Sequence, residues 1–455
     1  MRITYDDLRQ HNSIVVWGTG RIMRKYITKI DPQLNLVGFC DTYSGNWGKK
    51  PEKGLPCFSK DELSEKNAVM IAIEAQKDID IVSEELDAKG IDYCHILDAA
   101  EAFREEWEKS EIGRYDEAWK DTAEPGSRTK IVKYISCHIP YDSCNFRCSY
   151  CYVRQLTDFG SHMIHFASPE YIRRAFSRKR VGGTALINFC ARGETLLHPE
   201  VVPIICKFVE EGHYVHVVTN GTISAAFQKF IDMKVDMSKM FFKFSFHYQE
   251  LIEKNLLETY FKNINLMKEH GASFTVEVVT SDDVIPYIDE IKKCCLENVG
   301  ALPHLTLARD DRTEEIDLLV KKDMEDYKRI WSDFDSELFR YKLELLHVKR
   351  KEYCHAGEWS LQVDLKTGAV YQCVGHSKIF DIYDDICEPI ILEPVGENCR
   401  LPYCYNGHAY LTLGDIEGIK SPTYCDVRDR QTVDGGYWFT PEMQGIFSQR
   451  LYENN

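Results

Sequence analysis

The chain has 455 residues, 44% of them hydrophobic and 12% aromatic, with a formal net charge of −16. That composition supplies a full core and excludes global disorder. The acidic balance argues against nucleic acid or an anionic membrane surface as a partner. The length predicts two or three domains. The opening MRITYDDLRQ is polar and acidic, unlike a secretion signal, and no apolar run reaches the roughly 20 residues a membrane span needs. Seventeen cysteines without such a signal predict metal binding and reduced thiols in the cytoplasm.

Residues 1–121 read as a strand-helix alternation. Ser13–Trp17 is a buried strand, Gly18 and Gly20 a turn, Arg21–Ile30 a helix, and Leu34–Cys40 a strand ending in Asp41. Such glycines let the backbone approach a phosphate, and a terminal acid reaches a ribose hydroxyl. The third glycine of that pattern is replaced by Met23. Further strands are expected at Ala68–Ile73 and Tyr93–Leu97, with a helix at Asp78–Lys89 and a charged helix over residues 99–121. The WGTG turn and GFCD strand end resemble the small Rossmann-like domains of nucleotide-sugar and cell-surface polysaccharide enzymes. The resemblance implies that Gly18, Gly20 and Asp41 hold a nucleotide or nucleotide-sugar; the other reading is a degenerate fold kept for docking. Residues 122–130, with Glu124, Pro125 and Gly126, mark a linker.

Residues 131–347 alternate again. Strands are predicted at Ile131–Ile139, Ala185–Cys190, Tyr214–Thr219, Phe241–Phe246, Ser273–Val279 and His304–Ala308, with helices such as Pro199–Glu211 and Leu256–His270 between them. Six repeats predict an incomplete parallel (β/α)6 barrel with its chemistry at the C-terminal strand ends. A charged helical stretch, 313–347, closes it.

Behind the first of these strands come Cys144, Cys148 and Cys151, with three and then two residues between them. Thiolates so spaced wrap one soft metal centre and leave a coordination position open. A zinc loop or unrelated buried thiols is the other reading. The run, with Tyr150 before its last cysteine, resembles the CxxxCxxC signature of the radical S-adenosylmethionine (SAM) superfamily. The resemblance implies a [4Fe-4S] cluster that binds SAM and reductively cleaves it to methionine and a hydrogen-abstracting 5′-deoxyadenosyl radical. It also implies a reductase partner such as flavodoxin or ferredoxin. It carries over to Gly193 and Glu194 beside the SAM amino group, with Glu194 assisting, although Arg192 and Thr195 depart from the family's GGEP run. It carries further to Asn220 in the TNGT turn and to Ser245 at a SAM contact, while Glu277 is a candidate as an inward strand residue. His247 is a packed histidine or an acid-base group. Arg309 and Arg312 clasp an acidic group or lie on the surface.

Residues 348–455 hold Cys354, Cys373, Cys387, Cys399, Cys404 and Cys425. Cys354, Gly368 and Cys373 are spaced as at the opening of the SPASM and twitch extensions of radical SAM enzymes. The resemblance implies at least one auxiliary [4Fe-4S] cluster, held by Cys354, Cys373, Cys399 and Cys404; a zinc site is the other reading. Cys387 and Cys425 are spares that could replace a ligand, complete a second cluster or donate hydrogen to a substrate radical, and His355, His376 and His408 are possible ligands. Cys40, Cys57, Cys94, Cys137, Cys190, Cys206, Cys294 and Cys295 read as core thiols. The expected reaction is oxidation or epimerisation of a sugar, nucleotide-sugar or related small polar metabolite. Peptide maturation and a non-catalytic electron carrier or sensor are the competing readings.

Overall fold

The computed structural model describes residues 1–455 except 158–159, 161–162, 398, 406–417 and 455. The chain divides into two compact units, Met1–Arg114 and Tyr115–Asn455.

The first unit is built on five parallel strands: β1 (Ile14–Trp17), β2 (Leu36–Asp41), β3 (Cys57–Ser59), β4 (Ala68–Ile71) and β5 (Asp92–His95). Their order is β3-β2-β1-β4-β5, that of a doubly wound sheet. Every residue of β1 and β4 is buried, as a parallel sheet covered on both faces requires. Ile14 and Val16 pack into one core with Met23, Phe39 and Met70. Val15 and Trp17 pack into another with Val69, Ile71 and Leu86. Strand β3 escaped the sequence pattern because it is only three residues long, and Ile96 and Leu97, expected in a strand, begin a helix.

In the second unit, β6 (Ile131–Ile139), β7 (Thr184–Ala191), β8 (Tyr214–Thr219), β9 (Met240–Ser245), β10 (Ser273–Thr280) and β11 (His304–Leu307) pair side by side, all parallel. A short hairpin, β12 (Arg309–Asp310) and β13 (Asp317–Leu318), follows. The stretch expected as one closing helix is two, Met324–Trp331 and Glu337–Leu345, separated at Asp335 with φ +46°.

The cysteine-bearing tail continues the barrel sheet. Strand β14 (Ser360–Asp364) lies parallel on β6, and β15 (Ala369–Tyr371) and β16 (Lys378–Asp381) follow antiparallel. The unpaired edge of β6 is thereby covered, which a long apolar edge needs. The remaining tail plugs the N-terminal end of the barrel. Tyr214, which opens β8, donates to Glu442, and Ser273, which opens β10, accepts from the backbone of Thr440. Phe241, Tyr424, Phe439 and Phe447 form an aromatic floor with ring centres 4.8–6.2 Å apart. The opposite end, where β6–β11 finish, is left for the site.

Candidate functional site

Beyond β6 and β7 the two chains keep running side by side. Gly193 N–H donates to Tyr141 C=O at 2.8 Å and Glu194 N–H to Ser143 C=O at 2.9 Å. The approach is so close that a Cβ on Gly193 would fall 2.0 Å from the Ser143 carbonyl oxygen. Glycine is therefore obligatory, and it sets Cys144 against Glu194. Arg192, the departure from the family motif, bridges both flanks of the cysteine loop: it pairs with Asp142 at 3.0 Å and donates to Thr157 at 2.9 Å.

Glu194 is buried, and both its oxygens are taken. Oε1 accepts from the Thr219 hydroxyl and Leu196 N–H, and Oε2 accepts from Asn220 N–H at 2.7 Å. Burial pushes its carboxyl up, and these donors pull it back in part. Glu194, expected as a catalytic and SAM-binding group, clasps the strand ends together. The Asn220 amide donates to Asn145 at 2.7 Å, and Asn145 donates to Thr222 at 2.9 Å. The TNGT turn grips the cysteine loop, and Asn145 is a site residue that sequence reasoning missed.

The three thiols are gathered. Cys148 feels both Cys151 and Cys144, and Cys144 feels Glu194 and Cys151. Burial pushes Cys144 up to about 11 and Cys148 higher still, while Phe146 N–H donates to the Cys144 sulfur at 3.4 Å. Tyr150 is buried, and its hydroxyl shares a 3.0 Å hydrogen bond with His247 Nδ1. Burial, then Lys243, lowers His247 to about 4, so it is neutral at pH 7. Ser245 ends β9 half-buried.

A second thiol group stands in the tail. Burial pushes Cys404 well up, and the neighbouring Cys373, Cys354 and Cys399 push it further. Burial likewise takes Cys373 to about 12, with Cys354 and Cys399 adding to it. His376 Nε2 is 3.8 Å from the Cys399 sulfur. His355 instead stacks on Trp359 at 3.5 Å and pairs with Glu358. His408 lies outside the described residues. Among the described residues, no three His, Cys, Asp or Glu side chains converge as the ligands of a single ion. A cubane takes one thiolate per iron, and the loop supplies three thiols and the tail group four.

The two groups are joined by a stack. The Arg309 guanidinium lies 4.6 Å from the Tyr152 ring and 4.9 Å from the Tyr405 ring. Tyr152 is next to Cys151 in the chain, and Tyr405 next to Cys404. Arg312 is solvent-facing and paired with Asp310.

The other expected residues are placed as follows. Glu277 is buried in the barrel between Arg428, which contacts it, and Lys243 at 3.2 Å; it is a counter-charge deep in the barrel. Cys425 sits on the floor helix Tyr424–Arg428 beside Ser448 and Asp429, at the end of the barrel opposite the cysteine loop. Cys387 lies near Arg180, whose guanidinium holds the carbonyls of Ile382, Asp385 and Glu388. Cys190, read as a core thiol, is half-buried at the mouth among Lys243, Glu194 and Arg309. In the first unit, Gly18 is required because a Cβ there would fall 2.7 Å from the Ala72 carbonyl oxygen. Gly20 caps the helix Arg21–Tyr26, and Asp41 is tied to Thr19 at 2.6 Å and Asn46 at 3.0 Å.

Residues 138–292 match the family model of the Radical SAM superfamily. The central domain belongs to the radical SAM superfamily. The matched stretch opens inside β6 and contains all three thiols of the loop, so the protein is a radical SAM enzyme, using a [4Fe-4S] cluster and SAM. No curated protein matches the sequence. Among solved structures, the chain is similar to Streptococcus suis SuiB bound to S-adenosylmethionine, at 13% identity over 68% of this chain and 70% of that one, with a TM-score of 0.39. Native anSMEcpe with bound AdoMet is similar at 15% identity over 55% and 78%, with a TM-score of 0.39. BtrN in complex with AdoMet and 2-DOIA is similar at 11% identity over 58% and 79%, with a TM-score of 0.30. Cys144, Cys148 and Cys151 lie within the matched stretch, with Tyr150 in the same loop and Gly193 packed against it.

Proposed function

We propose that this radical SAM enzyme oxidises or epimerises a small polar metabolite of the sugar or nucleotide-sugar class, with an auxiliary cluster on Cys354, Cys373, Cys399 and Cys404. The observation that carries the reading is the pair of gathered thiol groups joined through Tyr152, Arg309 and Tyr405. When bound, the clusters and SAM would supply a hydrogen-abstracting 5′-deoxyadenosyl radical and, for an oxidation, an acceptor for the second electron.

The chain's own residues do the rest. Gly193, Arg192 and Glu194 fix the cysteine loop against the strand ends. Asn145, Asn220 and Thr222 hold its middle. Tyr150 and neutral His247 form a dry wall beside Cys148. The mouth below is lined by Cys190, Lys243, Arg309 and Lys342, groups suited to a polar substrate rather than an apolar one.

Incubation of the reduced enzyme with SAM and candidate sugars in deuterated water tests this. Solvent deuterium at carbon means epimerisation, and loss of two hydrogens means oxidation. Turnover of a peptide and of no sugar would replace the reading with peptide maturation.

A further inference from the structure

We propose that Lys243, Lys342 and Arg309 form an anion subsite at the barrel mouth that receives a carboxylate or phosphate group of the substrate. The inference rests on the radical SAM reading above and names the chemistry of its substrate.

Lys243, Lys342 and Arg309 approach one another at the mouth, and Arg428 reaches toward Lys243 from the floor helix. Lys342 feels Lys243 and Arg309, and Lys243 feels Arg428 and Arg309. Among the described residues the carboxylates nearby are committed: Glu277 to Arg428 and Lys243, Asp311 to Arg309 at 3.2 Å, and Glu194 to Thr219, Leu196 and Asn220. Among the described residues, the basic side chains outnumber the carboxylates paired with them, in a partly desolvated space within a chain whose net charge is −16. The contact that Lys342 makes is with a neutral group, the Thr306 hydroxyl at 2.5 Å. Confining like charges away from water is unfavourable, and an incoming anion removes the cost.

The placement is that of a substrate group. Lys243 is two residues before Ser245 on β9, so both face the same side, with Lys243 one layer deeper. Thr306 pairs in register with Val279 near the C-terminal ends of β10 and β11. Arg309 is held at the rim between Tyr152 and Tyr405. The cations therefore lie beneath the ground beside the cysteine loop, on the barrel side, where a substrate must sit to present carbon to a radical formed above it.

The test is calorimetric titration of the anaerobically reconstituted full chain with inorganic phosphate and, separately, with succinate. Binding of one or both at a single site is expected, and the tighter of the two tells phosphate from carboxylate chemistry. Lys342→Met should weaken that binding about tenfold or more, and Lys342→Arg should retain it. Saturating SAM should leave the probe bound. No binding of either probe, equal binding by Lys342→Met, or displacement of the probe by SAM would overturn the inference; displacement would make these lysines partners of the SAM carboxylate. Wild-type chain that cleaves SAM yet binds neither probe defeats the subsite alone. Chain that cleaves no SAM defeats the underlying reading.

Discussion

The Asn220 amide donates to the side-chain carbonyl of Asn145 at 2.7 Å, so the turn ending the third barrel strand holds the middle of the cysteine loop. Both are largely shielded from water, and Thr222 completes the network. Asn145→Ala should leave the Asn220 amide N–H without its acceptor and remove one donor to the Thr222 hydroxyl, at a cost of about 1–3 kcal/mol. Denaturant titration of the metal-free chain measures this, and iron retention after reconstitution should fall with it.

Gly193→Ala should be more damaging than its one methyl implies. The added carbon would fall on the Ser143 carbonyl, and backbone cannot yield as a side chain can. The strand extensions would part, and Cys144 would leave its place. The expected result is a folded chain whose iron content and cluster absorption are strongly reduced.

Arg428→Met should destabilise the chain by about 3–5 kcal/mol, because it leaves Glu277 charged and buried with only Lys243 beside it. Arg428→Met combined with Glu277→Gln should recover much of that loss. Urea unfolding of the four chains of this cycle gives the coupling directly.

The lysines of the mouth give a pH signature. Burial, then Lys243 and Arg309, lowers Lys342 to about 7; burial, then Arg428 chiefly, lowers Lys243 to about 8. The unfolded chain keeps these protons up to about 10.4, so between roughly pH 7 and 10 it binds more protons than the folded chain. These two groups should therefore make stability rise with pH over that window. Affinity for an anion should fall over the same window as the lysines lose their charge. Glu277, Cys190, Arg309, Arg428 and Asp311 face the same space, so Lys342→Met is the control that isolates the lysine's share.

The barrel strands were legible because each is a long buried run between helices of clear amphipathic period, and Ile131–Ile139 and Tyr214–Thr219 match the expected bounds residue for residue. The loop cysteines were legible through their spacing alone. The hairpin that leads to Cys373 was legible because Gly368, at φ +78°, turns it. What stayed hidden depends on distant pairing. No local pattern says that β14 joins β6, that residues 419–454 return as a floor, or that Cys425 is carried there with them. Glu194, Asn220 and Glu277 sit near their expected places, but their partners, Thr219, Asn145 and Arg428, are set by neighbouring strands and the tail. Cys190 looked like core because its strand is apolar, yet its alternation turns it toward the charged mouth.

The auxiliary site has its own count. Chain with both clusters should carry about eight irons, and Cys354→Ala with Cys373→Ala about four, with SAM binding as the check on the first cluster. Four irons in the unaltered chain would remove the second cluster.

The central claim is that Cys144, Cys148 and Cys151 hold a cluster that cleaves SAM. Anaerobically reconstituted chain, reduced with dithionite and given SAM, should release 5′-deoxyadenosine and methionine, while Cys148→Ala releases neither. Intact SAM in the presence of fully iron-loaded, reduced wild-type chain would contradict the account.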